Sequence, residues 1–295
     1  MGNPSAEGPW ARFRAEFAES RLALAGLAVL VAIIAIALLA PVISPQNPYD
    51  LAQLDVLDSK LAPGEKSADG RTYWLGTDDQ GRDMLSGIFY GLRISLGVGV
   101  ASTVFALAIG LALGLVAAYF GGWVDTLVMR VVDIQLSFPA ILIALILLAV
   151  LGQGVDKIVV ALVTVQWAYY ARTVRSSALV ERQKEYIEAA RVLALGQARI
   201  VFRHLLPNCL PPLIVVATVQ VAHAIALEAT LSFLGLGLPV TEPSLGLLIS
   251  NGFQYLLSGK YWISFYPGIA LLATIMAINL VADQLRDVLN PRLRR

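Results

Sequence analysis

Few side chains in this 295-residue sequence are equipped for covalent or metal chemistry. Its two histidines, His204 and His223, fall in different segments. A single cysteine, Cys209, excludes an intrachain disulfide and a thiolate metal cluster. So few groups make no credible Ser–His–Asp or Cys–His arrangement. No GxxxxGK[ST] loop occurs, so the chain does not itself hold ATP in the usual way. Asp78, Asp79 and Asp83, beside Gly81 and Arg82, invite a Ca²⁺ reading. Their spacing does not fit an EF-hand loop, and no glutamate closes it. With Arg82 they read instead as a hydrogen-bonded loop that orders the entry of the following apolar segment. No catalytic, cofactor-binding or metal-binding residue is assigned.

Two features remain. The first is Glu228, a carboxylate within an apolar run. An ionisable group there is costly in lipid, so it is either a group near a translocation path or gate, or a polar contact between helices satisfied by Thr230, Ser232 or a partner helix. His223, five residues earlier, does not share a helix face with it, so the two do not read as a proton relay. The second is the stretch EYIEAARVLALGQARIVFRHLLPN, Glu185–Asn208. It opens on helix formers, Glu188, Ala189, Ala190, Arg191 and Leu193. Gly196 interrupts it, Arg199 and Arg203 sit in a second helical piece, and Pro207 marks re-entry into an apolar segment. Ile187, Ala190, Leu193 and Ala194 share one face at helical spacing. Such a helix either lies on a membrane interface or docks on a soluble partner. Arg199 and Arg203 suit lipid phosphates or that partner equally.

The elements that position these residues are membrane spans. Apolar types make up 57% of the chain and charged types 15%, against about 45–50% and 25% in soluble domains. Mean hydropathy is +0.70. The net charge of +1 gives no global field for nucleic acid. Leu22–Ile43 is apolar over about 20 residues, longer than the 7–15 of a signal-peptide core, and reads as a retained span. Residues 44–92 are too polar for lipid. Further spans are read at about Ile94–Tyr119, Phe138–Leu151, Ile158–Ala171, Leu210–Leu238 and Trp262–Ala282, with an amphipathic piece over Trp123–Ser137. Gly110 and Gly114 form a GxxxG step suited to close helix approach. Scarce charge within the runs and no alternating pattern favour an all-α transmembrane bundle over a β-barrel.

Charge distribution supplies a parity test. Basic residues concentrate in residues 1–21 (Arg12, Arg14, Arg21), in Arg172–His204 (seven basic against three acidic) and in the tail, residues 286–295. If all three are cytoplasmic, as the positive-inside rule asks, even numbers of spans must separate them. Six spans with both termini inside satisfy this, and place residues 44–92 outside. An ion-coupled secondary transporter would show more intramembrane ionisable groups and often repeated halves. Glu228 is almost alone, and no repeat is evident.

The Glu185–Asn208 stretch resembles the EAA loop of ATP-binding-cassette importer permeases, in which EAA is followed after three residues by Gly and, nine residues on, by Ile-x-Leu-Pro. Glu188-Ala189-Ala190 and Leu206-Pro207 match in kind and spacing. Ala194 stands where Gly is expected, with Gly196 two residues later, and His204 stands where Ile is expected. The helix break is therefore expected nearer Gly196. The blocks WLGTDDQGRDMLSGIFYGLRISL (Trp74–Leu96), LEATLSFLGLG (Leu227–Gly237) and ADQLRDVLNPR are similar to peptide, opine and nickel permeases. The first span with its polar segment resembles the extra N-terminal region of the C-type subunit of dipeptide and oligopeptide importers.

The resemblance covers nearly the whole chain from Arg21 onward. It implies a type I importer permease fold, with residues 93–285 as a five-span transmembrane domain and a cytoplasmic coupling loop over 172–207. By this resemblance Glu188 is the polar contact to an ATPase subunit, Ala189 and Ala190 allow close approach, and Arg191, Ala194, Gly196, Arg199, Leu206 and Pro207 complete the loop. It also implies a second homologous permease, two ATPase subunits that bind ATP and Mg²⁺, and an extracytoplasmic solute-binding protein. The substrate implied is a di- or oligopeptide, with nickel, opines and glutathione imported by similar permeases. The setting implied is a bacterial inner membrane.

Overall fold

Lipid satisfies no backbone hydrogen bonds, and the long apolar runs become helices, which satisfy their own. The structure, a computed structural model, describes residues 8–50, 54–67 and 70–289; the tail arginines Arg292, Arg294 and Arg295 lie outside them. Helix α1 (Pro9–Ala18) leads into α2 (Arg21–Ile43), whose first turn is capped by Ser20, the hydroxyl accepting from Ala23 N at 3.2 Å. After the polar segment come α3 (Met84–Phe120), α4 (Gly122–Ser137), α5 (Ala140–Leu151) and α6 (Val155–Arg182). A short α7 (Glu185–Val192) and the one-turn α8 (Gln197–Arg199) follow. A π-helical stretch, Ile200–Leu205, joins α8 to α9 (Leu206–Phe233), and α10 (Leu245–Phe253) and α11 (Trp262–Leu289) complete the chain. Among the described residues there is no strand beyond two isolated bridges.

Among the described residues, four helical stretches are long and apolar enough to cross a membrane: Arg21–Ile43, Met84–Phe120, Gln197–Phe233 and Trp262–Leu289. A fifth crossing results if α4 and α5, bent by 90° at Pro139, form one broken span. The sixth expected span falls within α6. That helix has 28 residues, about 42 Å at 1.5 Å per residue, but carries Gln166, Arg172, Arg175 and Arg182. It tolerates them because α3, α4, α5 and α9 pack around it and cover much of its surface. These crossings are compatible with six.

Several boundaries differ from the sequence reading: α9 runs from Leu206 to Phe233 rather than Leu210–Leu238, and α11 continues to Leu289 rather than Ala282. Helix α3 begins at Met84, ten residues before the expected Ile94, because Asp83 caps it. Helix α6 runs on to Arg182, so much of the polar stretch after Arg172 is helix rather than loop. The loop before α11 also holds α10, which was not expected.

Helices α3 and α6 form the central pair. Gly110 faces α6 so closely that a Cβ there would lie 2.5 Å from Trp167 O and 2.5 Å from Tyr170 Cβ; at Gly114 it would lie 2.6 Å from Ala171 O. The GxxxG step is a packing device here. Around it Ala106, Leu115, Tyr170, Val174, Cys209 and Leu213 make one buried cluster joining α3, α6 and α9. Two ion pairs tie α4 to α6: Asp125 to Arg175 in a two-point contact at 2.5 Å, and Asp133 to Arg172 at 2.6 Å.

The polar segment before α3 is held by a dense set of hydrogen bonds, with Ala62 and Leu75 packed on the apolar cluster around Trp262. Asp83 Oδ2 accepts from Ser86 N at 2.9 Å and from its hydroxyl at 2.5 Å, while Gln46 Oε1 accepts from Asp83 N at 2.6 Å. Asp78 Oδ1 accepts from Gln80 N and Arg82 N, at 2.8 and 2.9 Å, and Arg82 Nη2 donates to Val240 O at 2.7 Å. This is the ordered entry loop the sequence suggested for Asp78, Asp83 and Arg82. Burial pushes the Asp78 carboxyl up to about 6 despite the adjacent Arg82. Gly81 is obligatory in this loop. Its φ is +77°, and a Cβ would lie 2.0 Å from Asp55 O.

Candidate functional site

The Glu185–Asn208 stretch folds at the end of the bundle where α6 finishes and α9 begins. Lys184 is extended, which breaks α6 from α7. On α7, Ile187 and Ala190 are buried against Ile200 and Leu195, so the apolar face closes on the loop's own return. Leu193 and Ala194, expected on that face, are exposed instead, because α7 ends at Val192. Glu188, Ala189, Arg191, Gly196 and Arg199 are exposed too, and Val192 and Leu193 present 86% and 72% of their surface. The loop thus offers a small apolar patch edged by Glu188 and arginines.

The break after α7 lies at Ala194, not at Gly196. Ala194 has φ +51°, while Gly196 is extended at φ −57° and ψ 141°. An alanine in the left-handed region costs about 1–2 kcal/mol that a glycine avoids. Ala194→Gly is therefore expected to stabilise the loop by about 1 kcal/mol, read as slower backbone amide exchange over 185–199. The π-helical turn over Ile200–Leu205 takes up the adjoining irregularity, and Leu206 and Pro207 open α9.

Side chains that the sequence reading passed over fasten this loop to three long helices. Tyr186 donates its hydroxyl hydrogen to Glu181 Oε2 at 2.6 Å, on the last turn of α6, and accepts from Asn208 Nδ2 of α9 at 3.1 Å. Burial and the Glu181 hydrogen bond push the Tyr186 hydroxyl up to about 12, which keeps it a donor. Arg182 Nη1 donates to Ala118 O of α3 at 2.8 Å, and Asn208 Nδ2 also donates to His204 O at 2.7 Å. No spacing rule reveals the Tyr186 contacts, since residues five apart meet here only because the chain turns at Lys184.

Beside the loop a cavity of about 970 Å³ lies between α6, α9 and α11. Arg172, Glu181, Asp283 and Arg286 line it toward the loop end; Pro212, Val216, Val219 and Gln220 line its α9 wall. Arg172 is paired with Asp133 and Glu181 with Lys184, which leaves Asp283 and Arg286 of α11 as neighbouring opposite charges on a mostly apolar wall.

Glu228 is elsewhere. It is 22 residues beyond Leu206 on α9, about 33 Å along the helix, and is fully buried. Its Oε2 accepts from Ser95 Oγ of α3 at 2.9 Å and its Oε1 from Ser232 Oγ at 2.8 Å; Ser244, which caps α10, also reaches it. The carboxylate therefore knots three elements. Close contact supports the knot: a Cβ on Gly246 of α10 would lie 2.3 Å from Ala229 O. Glu228→Leu is expected to cost about 2–4 kcal/mol by orphaning these hydroxyls and loosening α10, read as a lower melting temperature in detergent.

Comparison with known proteins bears on the whole chain. Residues 110–295 match the family model described as the binding-protein-dependent transport system inner membrane component. Residues 8–63 match the N-terminal transmembrane domain of oligopeptide transport permease C. The chain is 35% identical over 290 residues to the dipeptide transport system permease protein DppC of Alkalihalophilus pseudofirmus, covering 98% of this chain and 92% of that one. It is 40% identical over 269 residues to a putative peptide transport system permease protein of Brucella suis, covering 91% and 87%. Among solved structures, the MetNI methionine ABC transporter in inward-facing conformations has a chain that superposes with a TM-score of 0.57 at 24% identity, covering 70% of this chain and 98% of that one. That likeness concerns the fold.

Proposed function

This chain belongs to the family of inner membrane components of binding-protein-dependent transport systems, and from that membership we propose that it is the permease subunit of an ATP-driven importer of di- or oligopeptides. One observation carries the coupling role: the Glu188 loop projects an exposed face while Tyr186 ties it to both α6 and α9, the walls of the adjacent cavity. In this reading a homologous permease completes the pore. Two ATPase subunits, which hold ATP and Mg²⁺, dock at the loops on the cytoplasmic side, where both termini also lie. A solute-binding protein delivers peptide at the opposite face, against the segment over 44–83.

Movement of α7 passes to α6 through Tyr186–Glu181 and to α9 through Tyr186–Asn208. The bundle then shifts as a body and the cavity opens alternately to either side. Residues 172–207 contain this loop, and Glu188, Ala189, Ala190, Arg191, Ala194, Gly196, Arg199, Leu206 and Pro207 form it. Glu228 acts by holding the far end of the pathway in shape rather than by meeting substrate. The chain's part is mechanical.

Proteoliposomes holding the permease pair, its ATPase and its binding protein test this directly. ATP-dependent accumulation of a labelled di- or tripeptide is the expected result. Purification without an ATPase, or uptake that survives ATP depletion, overturns it.

A further inference from the structure

The cavity ends, deep in the bundle, on an uncharged amide. Gln220 is its deepest α9 residue, about 21 Å along the helix from Leu206. Gln166 of α6 reaches the same level, its Nε2 donating to Gln220 O at 3.2 Å. It shares a helix face with Tyr169, Thr173 and Ser177, which line the cavity at i+3, i+7 and i+11. Gln166 is only 3% exposed, and its Oε1 has no hydrogen-bond partner. One turn beyond Gln220 stands His223, whose Nδ1 lies 3.1 Å from Gln220 Oε1.

His223 is exposed, and its position on α9 says to what. Pro212, Val216 and Val219 line the cavity, and His223 continues their stripe at i+11, i+7 and i+4. Leu210 and Ile214, exposed apolar residues in the first half of α9, lie on the opposite side, which suits lipid. An imidazole in mid-span is costly against lipid and inexpensive against a wet pathway. The stripe therefore extends the cavity's wall past its apparent end.

Resting on the peptide-importer reading, we propose that Gln166, Gln220 and His223 form a constriction that reads the main-chain amides of the translocated peptide. A peptide presents N–H and C=O groups at every non-proline residue, whatever its side chains. A glutamine amide is their complement, with two donors and one acceptor that takes two bonds. The Gln166 Oε1 is unmet but buried, so it becomes an acceptor for a passing N–H when α6 and α9 part during the transport cycle. Neutral groups at this depth also bind weakly enough to release, as conduction requires. Asp283 and Arg286, nearer the loop end, meet the peptide's termini before exit.

The assembled transporter in proteoliposomes supplies two readouts. On a Cys209→Ala background, the thiol introduced by His223→Cys should react with a membrane-impermeant thiol reagent, and its modification should block uptake. Gln166→Leu and Gln220→Leu should each lower peptide uptake per ATP hydrolysed by about tenfold, the loss of one or two hydrogen bonds, with Gln220→Asn falling less. An introduced thiol that stays unreactive in the folded assembly overturns the placement. Wild-type uptake per ATP in both leucine variants overturns the amide-reading role. If the unmodified assembly imports no peptide while the introduced thiol reacts, the pathway placement stands and the peptide reading fails.

Discussion

Proteoliposomes carrying Glu188→Lys are expected to lose ATP-driven uptake by at least about tenfold, with the permease still inserted and folded. Glu188 is exposed in the first turn of α7, and its carboxylate makes no hydrogen bond or ion pair within the described chain. Its replacement therefore removes little from the bundle; the cost is expected at the proposed docking surface, where an inverted charge would face groups arranged to meet a carboxylate. A like-charge juxtaposition there is worth several kcal/mol. The predicted signature is loss of ATPase capture in pull-down together with loss of uptake. A second substitution separates docking from transmission. Tyr186→Phe keeps the exposed face and removes the hydroxyl that links Glu181 to Asn208. It should retain the ATPase and still transport poorly. Normal uptake with docking lost in Glu188→Lys contradicts the assignment.

The other large effect is at the centre of the bundle. Gly110→Leu should prevent α3 from seating on α6, with a loss of more than about 3 kcal/mol and little folded protein recoverable in mild detergent. The atoms a Cβ would strike are Trp167 O, Tyr170 Cβ and Ala171 N, at 2.5, 2.5 and 2.9 Å. Two of these are main-chain atoms of a buried helix and cannot swing aside as a flexible side chain would. Gly97 of the same helix is the control. A Cβ there meets nothing within 4 Å, so Gly97→Ala should leave monodispersity and melting temperature unchanged. Equal behaviour of the two variants in size-exclusion chromatography counts against the α3–α6 packing described here.

Particular residues show where sequence reasoning reached and where it stopped. Helix α2 was legible almost to the residue, Leu22–Ile43 against Arg21–Ile43, because a lipid-facing helix must be apolar all along its length. Gly110 and Gly114 were legible as packing residues, since close backbone approach requires the smallest side chain. Helix α6 is half legible: hydropathy marks its apolar half, and its polar half reads as loop, because a helix surrounded by protein leaves no strong hydropathy signal. Helix α10 was not legible. Its nine residues are too short to span, and they are fixed by contacts with α9, α11 and the Ser244 cap.

The loop at the cavity's mouth shows the same division. Composition and motif spacing by themselves determined that the chain is a polytopic helical membrane protein and that Glu188–Pro207 is its distinctive segment, because both properties are local: burial in lipid acts on each run, and a motif is a run of neighbours. Spacing placed the break near Gly196, but the tertiary structure put it at Ala194, where packing of Ile187 and Ala190 on Ile200 holds an alanine at positive φ. The tertiary structure also decided that Glu228 joins Ser95, Ser232 and Ser244 rather than facing the cavity, and that Gln166, Gln220 and His223 meet at one depth. These are relations between residues tens of positions apart. They follow from how helices pack against one another, which no single run of sequence encodes.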